Sequence, residues 1–258
     1  FIIKIGGNVL DKPEALSEFL NDFASIRSPK ILVHGGGKIA TKLGEQLGIE
    51  SKYINGRRIT DAATVDVVTM VYGGLVNKKI VAKLQQVNCN ALGLTGADGA
   101  VIKAVKRPVK DIDYGFVGDI CAGDINVLFL VTLLSAGIVP VFAPLTYSEG
   151  QILNTNADTI ASTLAVALSK EYNVRLIYCF EKKGVLMNVN NEHSVVTHMT
   201  EEKYKELLAR NVLADGILPK LENAFASIRE GVKEVLIGDA NDLITNTGEQ
   251  TAGTLITL

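Results

Sequence analysis

The feature that most constrains this chain is a repeated pattern of apolar strand, glycine turn and amphipathic helix. ILVHGGGKIA, residues 31–40, shows it most sharply. Ile31 to His34 read as a buried strand, Gly35, Gly36 and Gly37 follow, and a helical pattern opens at Lys38. A glycine turn between strand and helix lets backbone N–H groups converge on an anion, and the positive end of the helix dipole favours the same anion. A second turn of this kind closes FIIKIGG, with Lys4 inside the strand and Gly6-Gly7 after it. Two such turns suggest that two anionic groups are brought together; each turn also has a plain reading as a tight connection. Neither matches the GxGxxG or GxxxxGK[ST] signature.

The bulk properties exclude several classes. A chain of 258 residues suits one large α/β domain or two lobes sharing a sheet. With 47% hydrophobic and 21% charged residues it can bury a core without disulfides or metals. A formal charge of -2 and the lack of a long basic run argue against nucleic acid or an anionic membrane as partner. Cys89, Cys121 and Cys179 are scattered in apolar settings and read as reduced core thiols of a cytoplasmic protein. His34, His193 and His198 form no metal-binding spacing, so a protein-held metal is not expected. The uncharged stretch 125–147 is broken by Gly137, Pro140 and Pro144, and reads as a helix to Ser135 and a strand from Ile138 to Phe142 rather than a membrane span.

Taken in order, the chain predicts a helix from a capping box at Asp11 and Glu14 to about Arg27, then the strand before the triple glycine. A turn at Asn55-Gly56 precedes Arg57 and Arg58; Thr60 is placed to cap a long apolar helix to about Val87, with Gly73-Gly74 permitting a bend. VIKAVKR and DYGFVGDI read as hairpin strands, and Asp124 as the cap of the next helix. Asn156 is placed to cap a helix from Ala157 to about Lys170, and Thr200 another. VLMNVNNEHSVVTH reads as a hairpin, and KEVLIGD and TLITL as closing strands. The alternation implies a mostly parallel sheet covered on both faces, with strand ends gathered at one ligand-binding edge.

Several charges are oddly placed. Lys4 lies inside an apolar strand, where an ammonium must be neutral, paired or facing a cleft. Lys220 follows Pro219 at a helix start, where the dipole disfavours a cation unless an anion compensates. Asp158 lies in the first turn of its helix and Asn154 just before it; Arg58 has a fork suited to a carboxylate. Two lysines, two glycine turns and one aspartate make a phosphoryl-transfer set, in which catalysis is positioning and electrostatic stabilisation. With a carboxylate as acceptor, two anions must meet. At ~4 Å and an effective dielectric of ~20 they repel by about 4 kcal/mol, so cations are required on both sides.

KIGG at Lys4–Gly7, HGGG at His34–Gly37, NGRRITD at Asn55–Asp61, LNTNAD at Leu153–Asp158 and DGILPK at Asp215–Lys220 resemble, in order and spacing, the acetylglutamate kinases of the amino acid kinase superfamily. The resemblance spans nearly the whole chain, to Gly253-Thr254. It implies a three-layer α/β sandwich with a central, mostly parallel sheet and two lobes, residues 1–170 binding acylglutamate and 171–258 binding ATP. It implies that Lys4 and Lys220, from opposite lobes, stabilise the transferring phosphoryl group, and that Asp158 holds both. Gly35 and Gly36 would bind the acceptor, Arg58 and Asn154 its α-carboxylate and acyl-amino part. Gly6 and Gly7 would face the ATP phosphates, and Glu181, Gly184 and Leu186 would border the nucleotide, with Mg²⁺ between the phosphates. The implied activity is ATP-dependent phosphorylation of the γ-carboxylate of N-acetyl-L-glutamate, or N-succinyl-L-glutamate, in arginine biosynthesis. Glutamate, carbamate or uridylate kinases and a catalytically silent regulator are the alternatives.

Three departures stand out. Glu181 followed by Lys182-Lys183 replaces the usual aspartate, Gly216-Ile217 replaces Gly-Met, and NGRR places Arg57 beside Arg58. Arg57 can pair with a second carboxylate, as in an N-succinyl substrate, or stay solvated. The family's arginine-inhibited members carry an extra N-terminal helix and form hexamers; the chain opening in its first strand leads to the expectation of an arginine-insensitive homodimer built on the helix from Asp61.

Overall fold

The computed structural model describes residues 1–54, 56–188, 190–213 and 217–258. Two compact units emerge, Phe1–Lys30 with Ala161–Leu258, and Ile31–Ile160. In both, mostly parallel strands are flanked by helices, the α/β arrangement the alternation predicts. The units do not follow a linear division at residue 170: the first thirty residues group with the C-terminal part.

In the first unit the strand Ile2–Ile5 runs parallel to Arg175–Phe180, with Lys4 opposite Tyr178 and Ile5 opposite Cys179. Arg175–Phe180 runs parallel to Glu234–Asp239, Thr254–Ile256 lies antiparallel to that strand, and His198–Met199 forms the edge beyond it, parallel to Thr254–Ile256. Ile3, Ile5, Leu176, Ile177, Val235, Leu236 and Ile237 are fully buried. These near-continuous apolar runs are what strands covered on both faces require. The expected capping box at Asp11 does not form. A short helix, Gly7–Asp11, already starts at the glycine pair, and a second, Pro13–Ser25, begins after Lys12. Proline fits the first helical turn but pushes the preceding residue out of helical geometry, and Lys12 is extended with φ -111° and ψ 107°. The predicted hairpin after Val185 shrinks to one antiparallel bridge between Leu186 and Val195; Val189, within it, lies outside the described residues.

In the second unit Ile31–His34 and Ala91–Leu94 both run parallel to Val139–Phe142. The helix Asn77–Gln86 packs on Ala91–Leu94, and Val127–Ser135 on Val139–Phe142. Among the described residues no helix is long and apolar enough to cross a membrane. The long helix predicted from Asp61 is present in three pieces: α-helical Ala62–Val68, a π-helical turn Thr69–Val76 holding Gly73-Gly74, and α-helical Asn77–Gln86. Its cap is Asp61, whose Oδ1 accepts from the Thr64 N–H, and not Thr60, which is fully buried. The Thr64 side chain first, and then its N–H, hold the Asp61 carboxyl below its ordinary range. Likewise Asn126, not Asp124, caps Val127–Ser135; the Asp124 carboxylate accepts from the Cys121 N–H instead. Cys89 and Cys179 are buried, but Cys121 is exposed, against the expectation of a core thiol.

An antiparallel hairpin, Leu145–Ser148 with Gln151–Asn154, is an addition that the strand pattern did not show. Its two-residue turn sets Glu149 at φ 49° and Gly150 at φ 80°. A turn of two left-handed residues matches strand twist, but its sequence, Glu-Gly, lacks the Asn-Gly or Asp-Gly signature.

Candidate active site

The second unit gathers Gly35, Gly36, Arg58 and Asn154 around one pocket of about 230 Å³. The strand Ile31–His34 delivers the glycines. Gly36 caps the following helix, Gly37–Gln46, at φ 154° and ψ 6°. A Cβ on Gly36 would lie 2.8 Å from the Tyr72 ring, so glycine is demanded by both backbone and space. The N–H groups that open a helix have no partner one turn back, which leaves them available to an anion.

Arg58 reaches the pocket from the short strand pair Tyr53–Ile54 and Arg57–Arg58; Asn55, in the turn between them, lies outside the described residues. Arg58 is only 7% exposed. Its guanidinium donates to the Gly37 carbonyl at 2.9 Å, to the Thr41 hydroxyl at 2.8 Å and to the Ser51 hydroxyl, and lies 4.8 Å over the Tyr53 ring. All are neutral acceptors, and among the described residues no carboxylate pairs with it. A buried cation without a counter-ion is costly, so the geometry favours an incoming anion. Asn154 ends the unforeseen hairpin; its Nδ2 donates to Thr60 Oγ1, which in turn donates to the Arg58 carbonyl. Thr60 therefore ties the two expected substrate residues together. Tyr72 sits 5% exposed beside the glycine turn, and burial raises its phenol above the ordinary value.

The pocket also holds Arg57 and Arg107, and none of its described lining residues is acidic. Arg57 is exposed. Arg107 forks onto the Asp119 carboxylate, with Nε 3.1 Å from both oxygens. Tyr72, Thr41 and Arg107 escaped the sequence reading, and Thr60 reads there only as a helix cap: a helical tyrosine resembles core, and an arginine at a strand end resembles surface. Asp158 lies in the first turn of Ala157–Leu168, whose start is capped by Asn156 Oδ1, accepting from the Asp158 and Thr159 N–H groups.

The remaining expected residues lie in the first unit. Lys4 is half-buried within its strand, and Gly6 donates its N–H to the Cys179 carbonyl at 3.2 Å. That bond commits Gly6 to the strand neighbour, while a side chain on Gly7 would meet open space. Burial pushes the Cys179 thiol up to about 12, so it is inert. Lys220, half-buried, is the third residue of Leu218–Arg229, after Pro219. Asp215 and Gly216 of its motif lie outside the described residues. Both lysines belong to the same compact unit, not to opposite ones. Glu181 is exposed just past Arg175–Phe180. Gly184 and Leu186 are buried: a Cβ on Gly184 would meet Thr254 Oγ1 at 2.6 Å, and Val185 donates to that same hydroxyl at 2.8 Å.

Parallel strands ending in glycine turns, with a pocket lined by Arg57, Arg58 and Arg107 at one of them, define an α/β protein. Residues 1–239 match the model of the amino acid kinase family, and the chain belongs to that family. It is 55% identical to acetylglutamate kinase of Phocaeicola vulgatus over 248 residues, 96% of each chain. Among solved structures it is similar to N-acetylglutamate synthase from Neisseria gonorrhoeae, at a TM-score of 0.84 and 20% identity, covering 100% of this chain and 59% of that one. It is similar also to carbamate kinase from Giardia lamblia, at 0.69 and 13%, covering 99% and 97%. These two likenesses concern the fold.

Proposed function

We propose that the protein is an ATP-dependent kinase that phosphorylates the γ-carboxylate of N-acetyl-L-glutamate in arginine biosynthesis. The observation that carries this reading is Arg58: a guanidinium 7% exposed, held by neutral acceptors, in a pocket without acidic lining among the described residues. Such a guanidinium attracts the α-carboxylate of the acceptor. Asn154 takes its acyl-amino part. Gly35 and Gly36 present the N–H groups that receive the carboxylate under attack. Identity of 55% to an acetylglutamate kinase supports the choice of acceptor.

The acceptor carboxylate is ionised at neutral pH, so no general base is needed. Lys4, Lys220 and Asp158 are the catalytic residues of this reading, the two lysines offsetting charge on the transferring phosphoryl group, and Gly7, with Gly6 setting its approach, faces the ATP phosphates. Glu181, Gly184 and Leu186 border the nucleotide, Gly184 and Leu186 as the packed wall behind it. Among the described residues no three His, Cys, Asp or Glu side chains gather as a metal site. The reading gives Mg²⁺ to the phosphates of ATP, where it neutralises charge. A homodimer built on the Ala62–Gln86 helix is supported by exposed Met70 and Leu75. The cytoplasm is the compartment proposed, on the biosynthetic role.

The test is ADP release with ATP, Mg²⁺ and a panel of acceptors. N-acetyl-L-glutamate should support turnover, while its α-amide, glutamate and carbamate should not. Equal rates with the α-amide would remove Arg58 from its role. A second reading, an N-succinyl acceptor, is favoured by one observation: exposed Arg57 stands in the same pocket as Arg58. A higher kcat/KM for N-succinyl- than for N-acetyl-glutamate, abolished by Arg57→Ala, would establish it; a clear acetyl preference would exclude it.

A further inference from the structure

His34 is fully buried, is not needed as acid or base by the reaction, and sits directly before the glycine turn. Its Nδ1 lies 2.6 Å from the Gly35 carbonyl oxygen. A carbonyl can only accept, so Nδ1 carries the proton. Its Nε2 lies 3.1 Å from Asn77 Nδ2, whose other hydrogen goes to the Val141 carbonyl at 2.9 Å. Nε2 is therefore an acceptor, and the two ends of the ring agree on one tautomer. Asn77 is 1% exposed and opens the α-helical turn after the π-helical segment, which is how it reaches the strand. Its Oδ1 makes no hydrogen bond among the described residues, and a Cβ on Gly93 would come within 1.9 Å of it.

The consequence lies in the peptide plane. The Gly35–Gly36 bond is trans, as no cis peptide occurs among the described residues, and a trans plane puts its N–H opposite its C=O. Fixing the Gly35 carbonyl therefore fixes the direction of the Gly36 N–H. A diglycine plane has little steric resistance to rotation, so the aim of this N–H has to come from an added bond. Both glycines line the pocket.

We propose that His34, held in its Nδ1–H tautomer by Asn77, is a positioning residue that locks the Gly35–Gly36 peptide so that the Gly36 N–H is presented to the acceptor carboxylate. The inference deepens, and rests on, the acceptor reading given above. No proton is transferred. The ring acts as a neutral spacer between a buried amide and the glycine turn.

Two amide substitutions separate this role from packing. In His34→Asn the amide nitrogen occupies the place of Nδ1 and still donates to Gly35; in His34→Gln it occupies the place of Nε2 and does not. Both lose the ring and its volume. The Asn variant should keep kcat within about threefold. The Gln variant should lose roughly 10- to 100-fold in kcat and kcat/KM together with an unchanged KM for ATP, less than the full loss of an oxyanion donor. Equal kcat in the two variants would overturn the proposal. Wild-type protein labelled with ¹⁵N in histidine gives an independent readout that survives misfolding of either variant. His34 should show a protonated Nδ1 and an unprotonated Nε2 at neutral pH; the opposite tautomer would overturn the lock even in an active enzyme. A wild type with the expected tautomer but no turnover of N-acetyl-L-glutamate would instead sink the kinase reading, and with it the acceptor half of this inference.

Discussion

Arg58 and His34 show how single side chains set the chemistry of the pocket. Arg58 holds a buried charge that no carboxylate among the described residues pairs. Arg58→Gln keeps a donor and removes the charge. It should raise the acceptor KM about 100-fold with little change in kcat or in the KM for ATP, since desolvated charge pairs are worth several kcal/mol. The unliganded variant should melt no lower than wild type, because an uncompensated charge has been removed; a fall of several degrees would show that Arg58 serves the fold instead. For His34, burial pushes the imidazole down to about 4 from an ordinary 6.5. As pH falls, the unfolded chain takes up this proton first. The stability held by the neutral ring is complete above about pH 6.5 and is lost as pH falls from there toward 4, by about 3 kcal/mol. Urea titrations at neutral and acid pH measure it, and His34→Asn should flatten that part of the profile. At this scale the sequence was partly legible. Arg58 and Asn154 stood out through their motifs, but a valine and an asparagine pattern cannot reveal that Asn77 turns inward to meet His34.

Among elements, the glycine turns were readable because strand, turn and helix follow in sequence with no long-range partner required. Gly36 carries the sharpest consequence. Its φ of 154° and the 2.8 Å approach of a Cβ to the Tyr72 ring predict that Gly36→Ala costs about 1–3 kcal/mol of stability and raises the acceptor KM. A variant with both properties unchanged would mean that the turn tolerates a side chain. The caps at Asp61 and Asn126 were displaced by one and two residues from the expected Thr60 and Asp124. In each case a neighbouring polar residue had a competing partner. Thr60 is drawn inward by Asn154, and Asp124 turns back to the Cys121 amide. The hairpin that delivers Asn154 was missed because its Glu149-Gly150 turn lacks the common asparagine or aspartate.

For the whole molecule, the family and the strand–helix alternation were legible, whereas the grouping of the chain was not. Phe1–Lys30 joins Ala161–Leu258 because Ile2–Ile5 pairs with Arg175–Phe180, a pairing between segments some 170 residues apart that no local pattern encodes. Lys4 and Lys220 consequently share a unit, while Arg58, Asn154 and Asp158 belong to the other. Lys220→Ala should leave acceptor binding intact while lowering kcat by roughly 10²–10³-fold, the scale of one preorganised electrostatic donor. The central claim is that this protein makes an acyl phosphate on an acceptor anchored through Arg58. Trapping with hydroxylamine, in the presence of ATP, Mg²⁺ and N-acetyl-L-glutamate, tests it most directly. The account predicts an ATP-dependent γ-hydroxamate of the acylglutamate, nearly absent with Lys220→Ala and restored in Arg58→Gln only at high acceptor concentration. No hydroxamate from any N-acylglutamate, with a folded protein and intact ATP binding, would contradict it.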